Sequence, residues 1–343
     1  MVKVSAPGKC ILIGEHAVVY GEPAIIAAIG KRTTVQCTKS DKVRYLDRRF
    51  DTEGNVWSIT EVLNAAKNTM DIWSACAVQK DFSKLFEHVK KNKYENYRKT
   101  VIGIVLQKLG IKEGVSVEIS SDVPVGSGLG SSSSLSVALA KCIAETFGKR
   151  LDLSEINSIA YELEKIIHGT PSGGDNSASC YGGLLWFKRG ESGNTIKSLK
   201  EEIPQKLENF VLVYTGQPEK TTGELVQSVR NIPEAVRNKH IKAIGEASLK
   251  MRAALAKKDM ITVRDCMNTA QENLAALGVS TPAIDKIAKA MRNIAGAGKL
   301  CGAGGGGIML CYHHDKKKLV SVINNLGYEP IEVELAVEGV RIE

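Results

Sequence analysis

Residues 123–134, VPVGSGLGSSSS, place three glycines at alternate positions (Gly126, Gly128, Gly130) directly ahead of four serines. The stretch before them, GVSVEISSD, alternates apolar and polar residues as a strand does. The stretch after them, LSVALAKCIAETFG, carries apolar residues at helical spacing. A strand, a glycine loop and a helix N-terminus in that order form an anion site. Glycine lets the backbone come close to a phosphate, and the free N–H groups and dipole of the first helical turn favour negative charge. The serines either accept from those N–H groups or offer hydroxyls to a phosphate or its metal. An ordinary turn into a helix needs one glycine and one capping serine, so three and four argue against that plainer reading.

At 343 residues the chain is long enough for about two domains, and it buries enough surface to need no disulfides. Its 43% apolar and 24% charged residues are those of a soluble globular protein. No window reaches the roughly 18 uninterrupted apolar residues of a membrane helix, and the start, MVKVSA, reads as a strand and not as a signal peptide. No membrane partner and a cytoplasmic location are expected. Eight scattered cysteines without a CxxC pair read as reduced, buried small hydrophobes, and Cys311 beside His313 and His314 reads as incidental, not as a metal cluster. The net charge of +8 suits a small anionic ligand. The densest basic stretch, KKNKYENYRK at 90–99, reads as a solvated helix face, so no nucleic-acid partner is expected.

Along the chain, residues 1–40 read as two or three strands with a loop at about 14–21. Weak short strands and the helix-like ITEVLNAAKNTMDIWSACAV follow. The spacing predicts one amphipathic helix over 83–109, with Leu85, Val89, Ile102, Val105, Leu106 and Leu109 on its buried face. A further helix opens at Leu153 or Ser154 and stops at Gly169. From about Lys197 a second half begins: a strand (FVLVYTG), helices at about 222–231, 233–256 and 259–276, and one capped by Ser280 or Thr281 with Pro282 in its first turn. A helix from Lys316 and a strand, IEVELA, end it. Strands and helices in this order, with hairpin-like pairs, argue for an α+β fold over a doubly wound sheet.

Three further features bear on chemistry. Residues 302–307, GAGGGG, contain GxGxxG, but the following IMLCY is strand-like and no acidic residue stands about 20 positions on, which argues against a dinucleotide fold. GxxxxGK[ST] is absent. The run reads instead as a glycine wall beside the first loop. Asp175 in PSGGDNS is either an Asx-turn residue or a carboxylate aimed at a hydroxyl. Glu164 near a helix end and Lys9 after Ala-Pro-Gly are, taken singly, ordinary surface residues. Together they supply what phosphoryl transfer requires: a phosphate cradle, a metal held by hydroxyl (Ser132) and carboxylate (Glu164), a carboxylate for the nucleophile's proton (Asp175), and a nearby cation (Lys9).

APGKCILIGEHAVVYGEPAI (6–25), PVGSGLGSSSS (124–134), HGTPSGGDN (168–176) and KLCGAGGGG (299–307) resemble, in order and spacing, the motifs of the GHMP superfamily of small-molecule kinases. Within it, GEHAVVYGEPAI is similar to the branch that phosphorylates mevalonate. Galactokinases share the shorter GEH and continue differently, and homoserine kinases lack GEHAVVYG. The resemblance implies transfer of phosphate from ATP, with Mg2+, to the 5-hydroxyl of (R)-mevalonate in isoprenoid precursor synthesis. It also implies an N-terminal domain like ribosomal protein S5 domain 2 over 1–196, a ferredoxin-like C-terminal domain over 197–343, an active site between them, and a homodimer.

Matched by motif, Asp175 is the catalytic aspartate and Lys9 its partner, while Ser132 and Glu164 are the magnesium ligands. Pro124, Val125, Gly126, Ser127, Gly128, Leu129, Gly130, Ser131 and Ser132 surround the ATP phosphates. Glu15, His16, Gly304 and, at looser spacing, Thr222 fall on the substrate side. Two positions depart from the pattern: Ser133-Ser134 stand where small apolar residues are common, and Gly174 stands where an aliphatic residue is, which is expected to loosen the loop that holds Asp175. Residues 40–100 match no motif. Other readings are a superfamily kinase acting on phosphomevalonate or on the 3-hydroxyl of mevalonate, and a non-catalytic ATP- and metabolite-binding regulator. Retention of Lys9, Ser132, Glu164 and Asp175 argues against the regulator, and the absence of GEHAVVYG from the superfamily's decarboxylases ranks them lower.

Overall fold

The computed structural model describes residues 1–190 and 193–343. The first half comprises β1 (Val2–Ile13), β2 (Pro23–Ser40), β3 (Val43–Asp47), β4 (Asn55–Trp57), α1 (Ile59–Gln79), α2 (Ser83–Leu109), β5 (Gly114–Ser121), α3 (Ser131–Thr146), α4 (Leu153–His168), α5 (Gly174–Tyr181), β6 (Leu184–Lys188) and β7 (Thr195–Ser198). The second comprises β8 (Leu207–Tyr214), α6 (Thr222–Arg230), α7 (Glu234–Ala256), α8 (Met260–Ala276), α9 (Pro282–Asn293), β9 (Ala297–Leu300), β10 (Ile308–Tyr312), α10 (Lys316–Asn325), β11 (Pro330–Leu335) and β12 (Arg341–Ile342). β1 and β2 pair antiparallel from Val2 opposite Cys37 to Ile13 opposite Ile25; most of β1 and the Pro23–Ile29 part of β2 are buried on both faces and read as apolar runs, while the rest of β2 alternates between buried and partly exposed residues.

One sheet path, β4-β3-β5-β2-β11-β8-β10-β9, runs through both halves. Within the second half the order β11-β8-β10-β9 has antiparallel neighbours throughout. Numbered in chain order these strands run 4-1-3-2, the ferredoxin-like arrangement, with α6 to α9 in the first crossover and α10 in the second. The α+β expectation holds. The halves meet where β11 touches β2, through Leu335 opposite Ile29, and above a shared core that joins Leu12, Ile25 and Ile29 to Phe210, Leu212 and Met251. This seam carries the site.

The boundary at 196/197 falls inside β7, and the last residues return to the first half: Arg341 pairs with Ser5, and Gly182 bridges Glu338. Two expectations, the unbroken helix over 83–109 and the burial of Leu109, are corrected. The helix over 83–109 is broken, with Lys91 extended and Asn92, Lys93 and Tyr94 left-handed. The KKNKY stretch is exposed throughout, Tyr94 included, so no packing holds it helical, whereas Thr100 to Leu106 are all buried. Leu109 is only partly buried. All eight cysteines are free, seven of them buried. His313 Nε2 donates to the Ile294 carbonyl and Nδ1 accepts from the Asp315 N–H, so no lone pair is left for a metal. No helix among the described residues is long and apolar enough to cross a membrane.

Candidate active site

β1 carries Lys9 into the seam. Its backbone N–H donates to the Leu129 carbonyl at 2.8 Å, which ties the strand to the first glycine loop. Its Nζ lies 3.0 Å from Asp175 Oδ2, with the lysine side chain 9% exposed and the aspartate 39%. Burial pulls the Lys9 pKa down, but the Asp175 carboxylate outweighs it and the net shift is upward, so the ammonium stays charged. Gly130 permits this approach. Its φ is 76°, and a Cβ there would stand 2.8 Å from Lys9 Cγ. Asp175 sits in the first turn of α5 and not in a loop. Gly174 is the first residue of that helix, where a Cβ would meet Ile26 Cδ1 at 2.8 Å and the Phe187 ring at 3.2 Å.

The serines at the start of α3 are not caps. Helices α1, α4, α6, α8, α9 and α10 all have a side chain accepting from a first-turn N–H. α3 and α5 begin instead on left-handed glycines, Gly130 and Gly173, with no side-chain cap. The start of α3 thus keeps its N–H groups for another acceptor, whereas the first N–H of α5, at Gly174, donates to Ser172 Oγ at 3.2 Å. The serine hydroxyls point elsewhere. Ser132 Oγ donates to Glu164 Oε2 at 3.1 Å, and Ser136 Oγ to Glu164 Oε1 at 2.9 Å. Ser133 bonds the Gly130 carbonyl and Ser179, and Ser134 bonds Thr33 and the Ser131 carbonyl, so these two polar substitutions are satisfied in the core.

His168, one turn beyond Glu164, brings Nε2 within 3.3 Å of Ser132 Oγ and 3.5 Å of Glu164 Oε2. Its hydrogen bond to Glu164 raises its pKa against the opposing effect of burial. The Ser132 hydroxyl and Glu164 carboxylate are hard oxygen donors at an uncapped helix start. That set fits Mg2+, which takes one or two protein ligands and fills its shell with phosphates and water.

On the opposite side, Glu15 is fully buried and ion-paired to Lys299 of β9. The Lys299 ammonium also donates to the Leu300 carbonyl at 2.8 Å and the Ile11 carbonyl at 3.3 Å. Burial opposes its charge, but Glu15 prevails and its pKa is raised. The Glu15 carboxylate thus pins the 14–16 loop to the second half through Oε1, while its Oε2 is buried without a hydrogen-bond partner. Lys299→Met should leave that carboxylate buried and unpaired and cost about 3–5 kcal/mol, read from urea melts. Adding Glu15→Gln should restore much of the loss.

His16 lies where expected at the seam, its Nε2 2.9 Å from the Ala303 carbonyl. That oxygen only accepts, so Nε2 carries the proton, and burial lowers the ring's pKa and keeps it neutral. Gly304 is left-handed (φ 85°) against Val279. The backbone hydrogen bonds of this glycine run reach Val279, Gly216 and Thr215. It forms a wall of the second half that meets His16 through the Ala303 carbonyl. Thr222 is the exposed first residue of α6, whose cap is Thr221, and it has no hydrogen bond to Lys9, Asp175 or His16.

The fold and site are those of a two-domain small-molecule kinase, with an uncapped glycine loop at the start of α3. In agreement, the profile for the GHMP kinases N terminal domain matches residues 96–183, and that for the GHMP kinases C terminal matches 251–329. The chain is 32% identical to a mevalonate kinase of Pyrococcus abyssi, over 100% of this chain and 98% of the relative. A mevalonate kinase crystal structure superposes with a TM-score of 0.80 at 27% identity, covering 98% of this chain and 100% of that one. The Methanococcus jannaschii mevalonate kinase structure gives 0.77 at 28%, covering 96% and 97%. The chain belongs to the mevalonate kinase family of the GHMP kinases.

Proposed function

We propose that the protein transfers the γ-phosphoryl group of ATP to the 5-hydroxyl of (R)-mevalonate, giving 5-phosphomevalonate and ADP. The observation that carries this reading is the Lys9–Asp175 pair, buried on the lysine side and open on the aspartate side, beside the uncapped start of α3. The triphosphate lies along 124–132 and against the first turn of α3. Asp175 receives the hydroxyl proton as that oxygen bonds to phosphorus and the bond to the ADP oxygen breaks. Lys9 keeps Asp175 anionic and offsets charge on the attacking oxygen. His16, Gly304 and Thr222 line the acceptor side, with Glu15 and Lys299 behind them as support.

Ser132 and Glu164 hold the Mg2+, which when bound neutralises charge on the phosphate oxygens. An ADP-release assay with mevalonate, phosphomevalonate and galactose tests the reading. Turnover is expected with mevalonate alone. Turnover confined to phosphomevalonate, or ATP binding without turnover of any acceptor, overturns it.

A further inference from the structure

β3 and β5 form the single parallel pair among the described strands, Asp47 standing opposite Ile119. Their carboxyl ends therefore leave the sheet at the same edge. β5 runs on into the first glycine loop, and β3 runs on into residues 48–54, part of the stretch that matches no family motif. Arg49 stands at that edge. Asp47, 2% exposed, grips its guanidinium in a fork: Nε to Oδ1 at 2.9 Å and Nη2 to Oδ2 at 2.7 Å. The Arg49 backbone N–H donates to the same Oδ1 at 3.1 Å, and the exposed Phe50 ring lies 5.1 Å from the guanidinium carbon. The arginine is thus set in place before any ligand arrives.

What the fork leaves over is Nη1, and it donates to Ser131 Oγ at 2.9 Å. Ser131 is the first residue of α3, the helix start without a side-chain cap. A guanidinium only donates, so the Ser131 oxygen is fixed there as an acceptor, and its own proton is left for another acceptor. An arginine spent only on Asp47 would not need to reach the phosphate loop. We infer that Arg49 is a positioning residue of the nucleotide site, which sets the Ser131 hydroxyl as a donor toward the triphosphate and adds positive charge at the mouth of the loop. This rests on the kinase reading above and extends it to a residue outside the shared motifs.

The test is the affinity of Arg49→Met and Ser131→Ala for a non-hydrolysable ATP analogue with Mg2+, by calorimetry, alongside steady-state kinetics. Arg49→Met should weaken nucleotide binding and raise the KM for ATP on the order of 10- to 100-fold, with the KM for mevalonate changed by less than about two-fold. Arg49→Lys, which keeps the charge without the fork, should recover only part of the loss. In the Ser131→Ala background the arginine change should cost less than it does alone, because the two act through one contact.

Unchanged nucleotide affinity in Arg49→Met overturns the inference. So does equal weakening toward both substrates, which marks a merely structural role. If Arg49→Met does not fold, Ser131→Ala with Arg49→Lys decides: nucleotide affinity as in the parent protein overturns it. Failure of the kinase reading would show separately, as absent mevalonate turnover in the unsubstituted protein.

Discussion

Asp175→Asn is expected to lower kcat by about 100- to 10,000-fold, the range over which a positioned general base contributes. Binding of ATP should be unaffected. The substitution is close to isosteric, and the amide oxygen still accepts from Lys9 Nζ, so the 3.0 Å contact and the start of α5 survive. Only the proton acceptor is lost. The size of the loss separates two mechanisms. In a tight transition state the hydroxyl proton must leave early, and the loss falls at the upper end. In a loose, metaphosphate-like one the base matters less than the fixed charge, and Lys9→Met should then cost as much as Asp175→Asn. Near-normal kcat in Asp175→Asn with intact ATP binding would remove Asp175 as the base and leave it as the anchor of Lys9.

The chemistry-bearing segments were legible in the sequence because each is a local pattern that a short chain segment enforces by itself. Three left-handed glycines ahead of α3 are needed whatever surrounds them. The pairings across the seam were not legible in that way. A lysine before a glycine run looks the same whether it faces solvent or, like Lys299, spends its ammonium on Glu15 and two carbonyls. Arg49 was invisible because its meaning depends on β3 lying parallel to β5, which no local spacing reveals.

Ser136 and His168 are a different matter. They stand four residues beyond Ser132 and Glu164 on two helices, and the i, i+4 rule applied to both would have found them. The break in α2 was missed because the periodicity on either side of 91–94 belongs to two separate buried faces, Leu85 and Val89 before it and Thr100 to Leu106 after it.

Glu164→Gln should raise the Mg2+ concentration needed for half-maximal activity at least about 10- to 100-fold, the loss seen when even an outer partner of a metal site is removed. The fold should be retained. Glutamine still accepts from Ser136 through its amide oxygen, and its NH2 meets the Ser132 oxygen, so neither hydroxyl is orphaned in a site where Glu164 is only 1% exposed. What disappears is one negative charge beside the phosphate loop. Two readouts are independent of turnover. By calorimetry, nucleotide binding should lose most of its gain from Mg2+, while metal-free binding should hold or strengthen, since a carboxylate repels phosphate. By NMR, His168 should titrate at lower pH, because its hydrogen bond to Glu164 is the largest effect holding its pKa up. If His168 moves and the Mg2+ requirement does not, Glu164 orients Ser132 and Ser136 without holding the metal, and the carboxylate ligand must be sought elsewhere along the seam.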